Sequence, residues 1–122
     1  YNRTDRYGNR RQLHVEKALE VMDYHRYELP QFQDETVVKD TYTCRILSRC
    51  KYFECASYQI HGTAELPAYS DSFSSLVCVK GSGILYKQDE KMQFSAGDSF
   101  FVPCSGEKIR AEGDCELILT HI

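Results

Sequence analysis

The apolar positions of the chain follow two periods, and the period changes near residue 36. Within residues 12–24, Val15, Ala18, Leu19 and Met22 recur at i, i+3, i+4 and i+7, the stripe of an amphipathic helix. Glu16 and Glu20 fall on its other faces, His14 stands at its start, and Pro30 forbids its continuation. From Thr36 onward the apolar runs shorten to strand length. They are rich in Val, Ile, Tyr, Phe and Cys and are parted by Gly, Pro, Asp and Ser. Strands are predicted over 36–39, 42–48, 51–60, 73–79, 83–88, 91–95, 99–103, 107–112 and 115–121. Gln88-Asp89-Glu90-Lys91 reads as a polar hairpin tip, and residues 61–71 as the longest loop of the β region. So many short, evenly spaced strands predict an all-β chain, a closed antiparallel sandwich or barrel with one N-terminal helix. The expected division is 1–35, a connecting arm and helix, and 36–122, a β-barrel.

Length and charge narrow the function classes. At 122 residues the chain is one domain with room for one sizeable core. A net charge of −3 argues against nucleic acid or an anionic membrane as the main partner. No apolar run approaches the about 20 residues of a membrane span, and no signal-peptide pattern opens the chain. A cytoplasmic setting is expected. The chain opens at Tyr1 in a basic, polar stretch holding Arg3, Arg6, Arg10 and Arg11, which reads as part of a longer protein, with Arg6, Arg10 and Arg11 on a solvated arm. Six cysteines invite a disulfide reading. Five of them are expected inside apolar, strand-like runs where a small hydrophobe fits, and none forms Cys-x-x-Cys, so reduced thiols and no zinc knuckle are expected.

The motif with most content is Gly81-Ser82-Gly83 followed by Gly97-Asp98-Ser99-Phe100-Phe101-Val102-Pro103. Glycine permits backbone angles that a β-carbon opposes, and Pro103 ends a strand where its missing N–H does no harm. The pattern V-x-x-G-x-G, a hairpin, then G-D-x-x-x-x-P resembles the cupin superfamily, which implies a jelly-roll barrel. Metal-binding cupins carry two His and a Glu before the first glycine pair and a third His after the proline. Here Ala68-Tyr69-Ser70-Asp71-Ser72-Phe73-Ser74-Ser75 holds no His and no Glu, and Cys104-Ser105-Gly106-Glu107-Lys108-Ile109 holds no His. No metal is expected in this barrel. His25, His61 and His121 are expected at surface or packing positions, none spaced as a ligand pair.

Two segments narrow the resemblance. Tyr1-Asn2-Arg3-Thr4-Asp5 leads into Gly8-Asn9-Arg10-Arg11-Gln12-Leu13-His14-Val15-Glu16-Lys17-Ala18-Leu19, and the chain closes on Gly113-Asp114-Cys115-Glu116-Leu117-Ile118-Leu119-Thr120-His121. Together they resemble the C-terminal part of the short bacterial type I mannose-6-phosphate isomerases, over the whole chain and in order. The resemblance implies a parent enzyme that is zinc-dependent and interconverts mannose 6-phosphate and fructose 6-phosphate. It places the zinc ligands in an N-terminal catalytic domain, which would be this domain's partner, and an active-site arginine just ahead of Tyr1. Arg3 and Asp5 are then the residues nearest that active site, and Arg3 suits a phosphate. An arm that only packs two domains together is the plainer reading of both. Such a domain on its own would be inactive, having neither base nor metal, and its helix and arm offer a surface for a homodimer. Two other readings stay open. One is a barrel that holds a sugar or other small ligand without chemistry, lined by Tyr52, Tyr58, Tyr69 and Tyr86. The other is a stand-alone metallocupin.

Overall fold

A computed structural model describes residues 3–10, 12–26 and 35–122. Tyr1, Asn2, Arg11 and Pro30 lie outside the described residues. The chain divides into two compact units, residues 1–31 and 32–122.

In the first unit Thr4 and Arg10 form an isolated antiparallel bridge around the turn at Gly8. The helix is shorter than the stripe predicts: α1 runs Val15–Glu20, and none of its residues is buried. Val15 and Leu19 are each about half exposed. An unpacked stripe adds no hydrophobic stabilisation to a short helix, which is marginal by itself. His14 occupies the N-cap without a side-chain cap bond. At the other end the Asp23 carboxylate accepts the His25 N–H, a local turn that competes with further helix.

The second unit is all β. Its strands are β1 Thr36–Val38, β2 Tyr42–Arg49, β3 Glu54–Leu66, β4 Ser74–Lys87, β5 Glu90–Ser95, β6 Ser99–Val102 and β7 Ile109–His121. They pair antiparallel in the order β1-β2-β3-β7-β4-β5, with β6 added to β4. The fold is the expected cupin-type jelly roll. Alternation decides which face is buried. Ala56, Tyr58 and Ile60 of β3 meet Leu119, Leu117 and Cys115 of β7 in register, and Leu76 and Cys78 of β4 continue the same layer. Ile60, Leu76 and Leu117 are completely buried, each stabilising the fold by roughly 1.5–3 kcal/mol.

Three expected strand boundaries are absent, for one physical reason. The runs at 73–79 and 83–88 are a single strand, as are 107–112 and 115–121, and β3 runs on past Gly62 to Leu66. The loop expected at 61–71 is therefore the connection 67–73. Gly81 and Gly113 do not end strands; they let strands bend and touch. A β-carbon on Gly81 would lie 2.0 Å from the Asp114 carbonyl oxygen, and one on Gly113 would lie 2.4 Å from that of Ser82. A bulge between Cys78 and Lys80 accompanies the bend. Gly97 is different: its φ is +98° and its surroundings are open, so it serves the β5–β6 turn alone. The Asp98 carboxylate closes that turn by accepting the Ser95 N–H at 2.8 Å.

The cysteine expectation needs one correction. Cys44, Cys55, Cys78 and Cys115 stand in strands, whereas Cys50 and Cys104 are exposed in the connections that follow Arg49 and Pro103. All six are free thiols. Burial pushes the Cys78 thiol up, and burial, helped by neighbouring Cys78 and Asp114, pushes Cys115 up to about 11.

Candidate functional site at the barrel mouth

The ends of four strands meet in one rung. Arg49 of β2 pairs with Glu54 of β3, Glu54 with His121 of β7, and His121 with Ser74 of β4. Residues facing each other across an antiparallel ladder share a face, so these four side chains line one end of the barrel. The 67–73 connection crosses this end. Tyr69 lies flat on His121, with ring centroids 3.5 Å apart and planes 8° from parallel. The His121 Nδ1 donates to the Phe73 carbonyl oxygen at 3.3 Å, and its Nε2 stands 3.5 Å from the Asp71 carboxylate. The Gly106 N–H donates to the Tyr69 carbonyl oxygen at 3.1 Å, tying the β6–β7 connection to the same segment. The His121 side chain is only 15% exposed. Ser74 is buried.

Electrostatics follow from this packing. Burial raises the Tyr69 phenol above the ordinary tyrosine value, and the nearby carboxylate of Glu54 pushes the same way. Beneath it, burial and a hydrogen bond to Cys44 raise Tyr58 further. Arg49 is held by two carboxylates: its Nε donates to Glu54 at 2.5 Å and its Nη1 donates to both oxygens of Glu35, at 2.9 and 3.0 Å.

This rung contains the stretch in which metal-binding cupins keep ligands. Tyr69 and Ser74 present a phenol and a hydroxyl, and among the described residues no three His, Cys, Asp or Glu side chains converge on one point.

Of the tyrosines proposed from sequence, Tyr58 and Tyr69 come near each other, whereas Tyr52 and Tyr86 lie elsewhere. Tyr58 is buried in the core, and Tyr69 covers His121. Tyr52 is exposed beneath Lys51, and Tyr86 carries the Arg110 guanidinium 4.3 Å above its ring. Arg3 is exposed. Asp5 closes the arm's own turn: its carboxylate accepts the Tyr7 and Asn9 N–H groups at 2.8 and 2.9 Å, which holds it below the usual carboxylate range. His61 lies inside β3 rather than at its end, exposed and 3.0 Å from Asp114. His25 is exposed, 2.6 Å from Asp23. His121 was expected at a surface or packing position, and the structure makes it a packing residue under Tyr69; the Arg49–Glu54–Glu35 group was not singled out from sequence. The available signal was positional: Tyr69, Asp71 and Ser74 occupy the stretch where ligands are missing.

Two clefts adjoin the core. One, of about 350 Å³, has Tyr42, Cys44, Tyr58 and Leu66 on its walls and Glu65 and Lys108 among its lining residues. The other, of about 580 Å³, lies between the β4–β5 hairpin and β6 and is mostly apolar, with Leu85, Met92, Phe100 and Val102 in its walls. Among the described residues no helix is long and apolar enough to cross a membrane.

Comparison with known proteins places this geometry. Residues 43–122 match the model of the mannose-6-phosphate isomerase cupin domain. The whole chain aligns with the putative mannose-6-phosphate isomerase YvyI of Bacillus subtilis at 29% identity and with that organism's mannose-6-phosphate isomerase ManA at 25%. It spans 38% of the length of each. A crystal structure of the mannose 6-phosphate isomerase from Bacillus subtilis superposes with a TM-score of 0.82, at 29% identity, over all of this chain and 38% of that one. The Streptomyces protein Pac13, solved with uridine, shares the fold alone: TM-score 0.61 and 18% identity over 79% of this chain and 81% of its own. With residues 43–122, most of its length, matched, the chain belongs to the family of mannose-6-phosphate isomerase cupin domains.

Proposed function

We propose that the chain is the C-terminal cupin domain of a zinc-dependent isomerase that interconverts mannose 6-phosphate and fructose 6-phosphate, and that its own role is structural. The observation that carries this reading is the end-to-end match to mannose-6-phosphate isomerases, with the chain spanning 38% of each relative. The barrel mouth supports the division of labour. Tyr69, from the stretch where the resemblance places a metallocupin's ligands, stacks on His121, and Arg49 donates to two carboxylates. Moving a proton between adjacent sugar carbons needs a positioned base and a group that polarises the oxygens. In this proposal both come from an N-terminal catalytic domain, the partner of this one. Arg3 stands nearest that domain's phosphate site, and Asp5 shapes the turn that presents it.

The test uses the longer gene product. Stripped of metal by a chelator and assayed for conversion of mannose 6-phosphate, it should lose turnover and regain it when zinc is returned. A product that never converts mannose 6-phosphate would restore the ligand-holding barrel as the better reading.

A further inference from the structure

We propose that His121 and the 67–73 segment form a proton-sensitive latch: a second proton on the imidazole ties the segment across the barrel mouth, and its loss loosens it. The inference goes beyond the isomerase reading and does not depend on it.

The geometry sets up the switch. Two acceptors flank one imidazole, the Phe73 carbonyl at Nδ1 and the Asp71 carboxylate near Nε2. A neutral imidazole has one ring N–H, so it serves one acceptor and turns a lone pair toward the other; the charged ring donates to both. Both acceptors belong to the 67–73 segment, and so does the Tyr69 ring that covers the imidazole. Protonation therefore adds a charge-assisted hydrogen bond to Asp71 and a cation beneath the Tyr69 face, and both draw the segment toward β7.

The other groups facing His121 do not cancel this. Glu54 stands across from it on β3, with its carboxylate held by Arg49. Arg49 on β2 is in turn held by Glu35. Ser74, across on β4, is neutral, and the Tyr69 phenol is held in its neutral form. Both contacts fall on one short connection, and the Gly106–Tyr69 hydrogen bond reports whether that connection is down.

The experiment is NMR on the 122-residue chain. The His121 ring titration and the exchange protection of the Gly106 amide are followed together from about pH 5 to about pH 8.5, the range in which histidine switches are read. Protection corrected for intrinsic exchange should fall about 2- to 10-fold as the ring loses its proton, the worth of one hydrogen bond. His121→Gln should abolish the step, and exposed Asp71→Asn should shrink it without disturbing the strand amides. Glu54→Gln should leave it in place. Protection that stays flat through the His121 titration, a step that survives His121→Gln, or one that is lost in Glu54→Gln but kept in Asp71→Asn would overturn the proposal.

Discussion

Tyr69 and His121 are 52 residues apart in sequence, yet their rings stack at 3.5 Å and close the end of the barrel. The contact joins a connection to the last strand, so removing it acts on both. Tyr69→Ala deletes a half-buried ring that packs on the core and should cost about 2–4 kcal/mol. Tyr69→Phe keeps the stack and should cost less than about 1.5 kcal/mol. Thermal unfolding of the two variants beside the parent chain checks the difference.

The strand glycines give a sharper stability test. Gly81→Ala drives a methyl to 2.0 Å from the Asp114 carbonyl oxygen at a φ of +77°, so backbone must move in both β4 and β7. A loss of about 3 kcal/mol or more is expected, from overpacking and left-handed strain together. Gly97→Ala meets nothing within 4 Å and carries only the strain of φ +98°, about 1 kcal/mol. Equal destabilisation of the two would contradict the account of the bends. Urea unfolding distinguishes them.

Thiol reactivity should split by burial. Cys50 and Cys104 are exposed and should react fast with an aromatic disulfide reagent near about pH 8. Cys78 and Cys115 are buried with raised thiols, Cys115 to about 11. They should remain unmodified until the chain unfolds. Mass spectrometry of labelled peptides reads both classes. Rapid labelling of Cys115 in the folded chain would place it wrongly.

The arm has an acid-sensitive turn. Asp5 is held below its ordinary value of 3.8 chiefly by the Asn9 and Tyr7 amides. A carboxylate whose folded value is depressed contributes order that is present above its unfolded value and is lost as pH falls through the folded one. The Asn9 amide shift should therefore move at acid pH, below about 3.8, and should stop doing so in Asp5→Asn.

The fold was legible because its signals are local. Alternation fixed the strands, and Gly97-Asp98 with Pro103 marked a turn and a strand end that the structure keeps. Gly81 and Gly113 misled because glycine within an apolar run marks either a turn or a close backbone crossing. Only the partner strand, more than 30 residues away, decides which. The helix stripe was real, but its length depended on packing that its exposed residues do not have. The candidate site was half legible. The missing ligands could be read as absent letters in two segments, whereas the Tyr69–His121 stack needs β7 and the 67–73 connection brought together. Tyr52, Tyr58, Tyr69 and Tyr86 looked alike as strand-rich aromatics; the fold brings Tyr58 and Tyr69 to the core and leaves Tyr52 and Tyr86 away from them.

The most direct measurement is coupled mannose-6-phosphate isomerase activity with zinc present, on the 122-residue chain alone and on the longer gene product side by side. The account predicts turnover by the longer protein and none by the chain. Turnover by the chain itself would contradict it, since the barrel would then hold an active site that the Tyr69–His121 closure is argued to exclude.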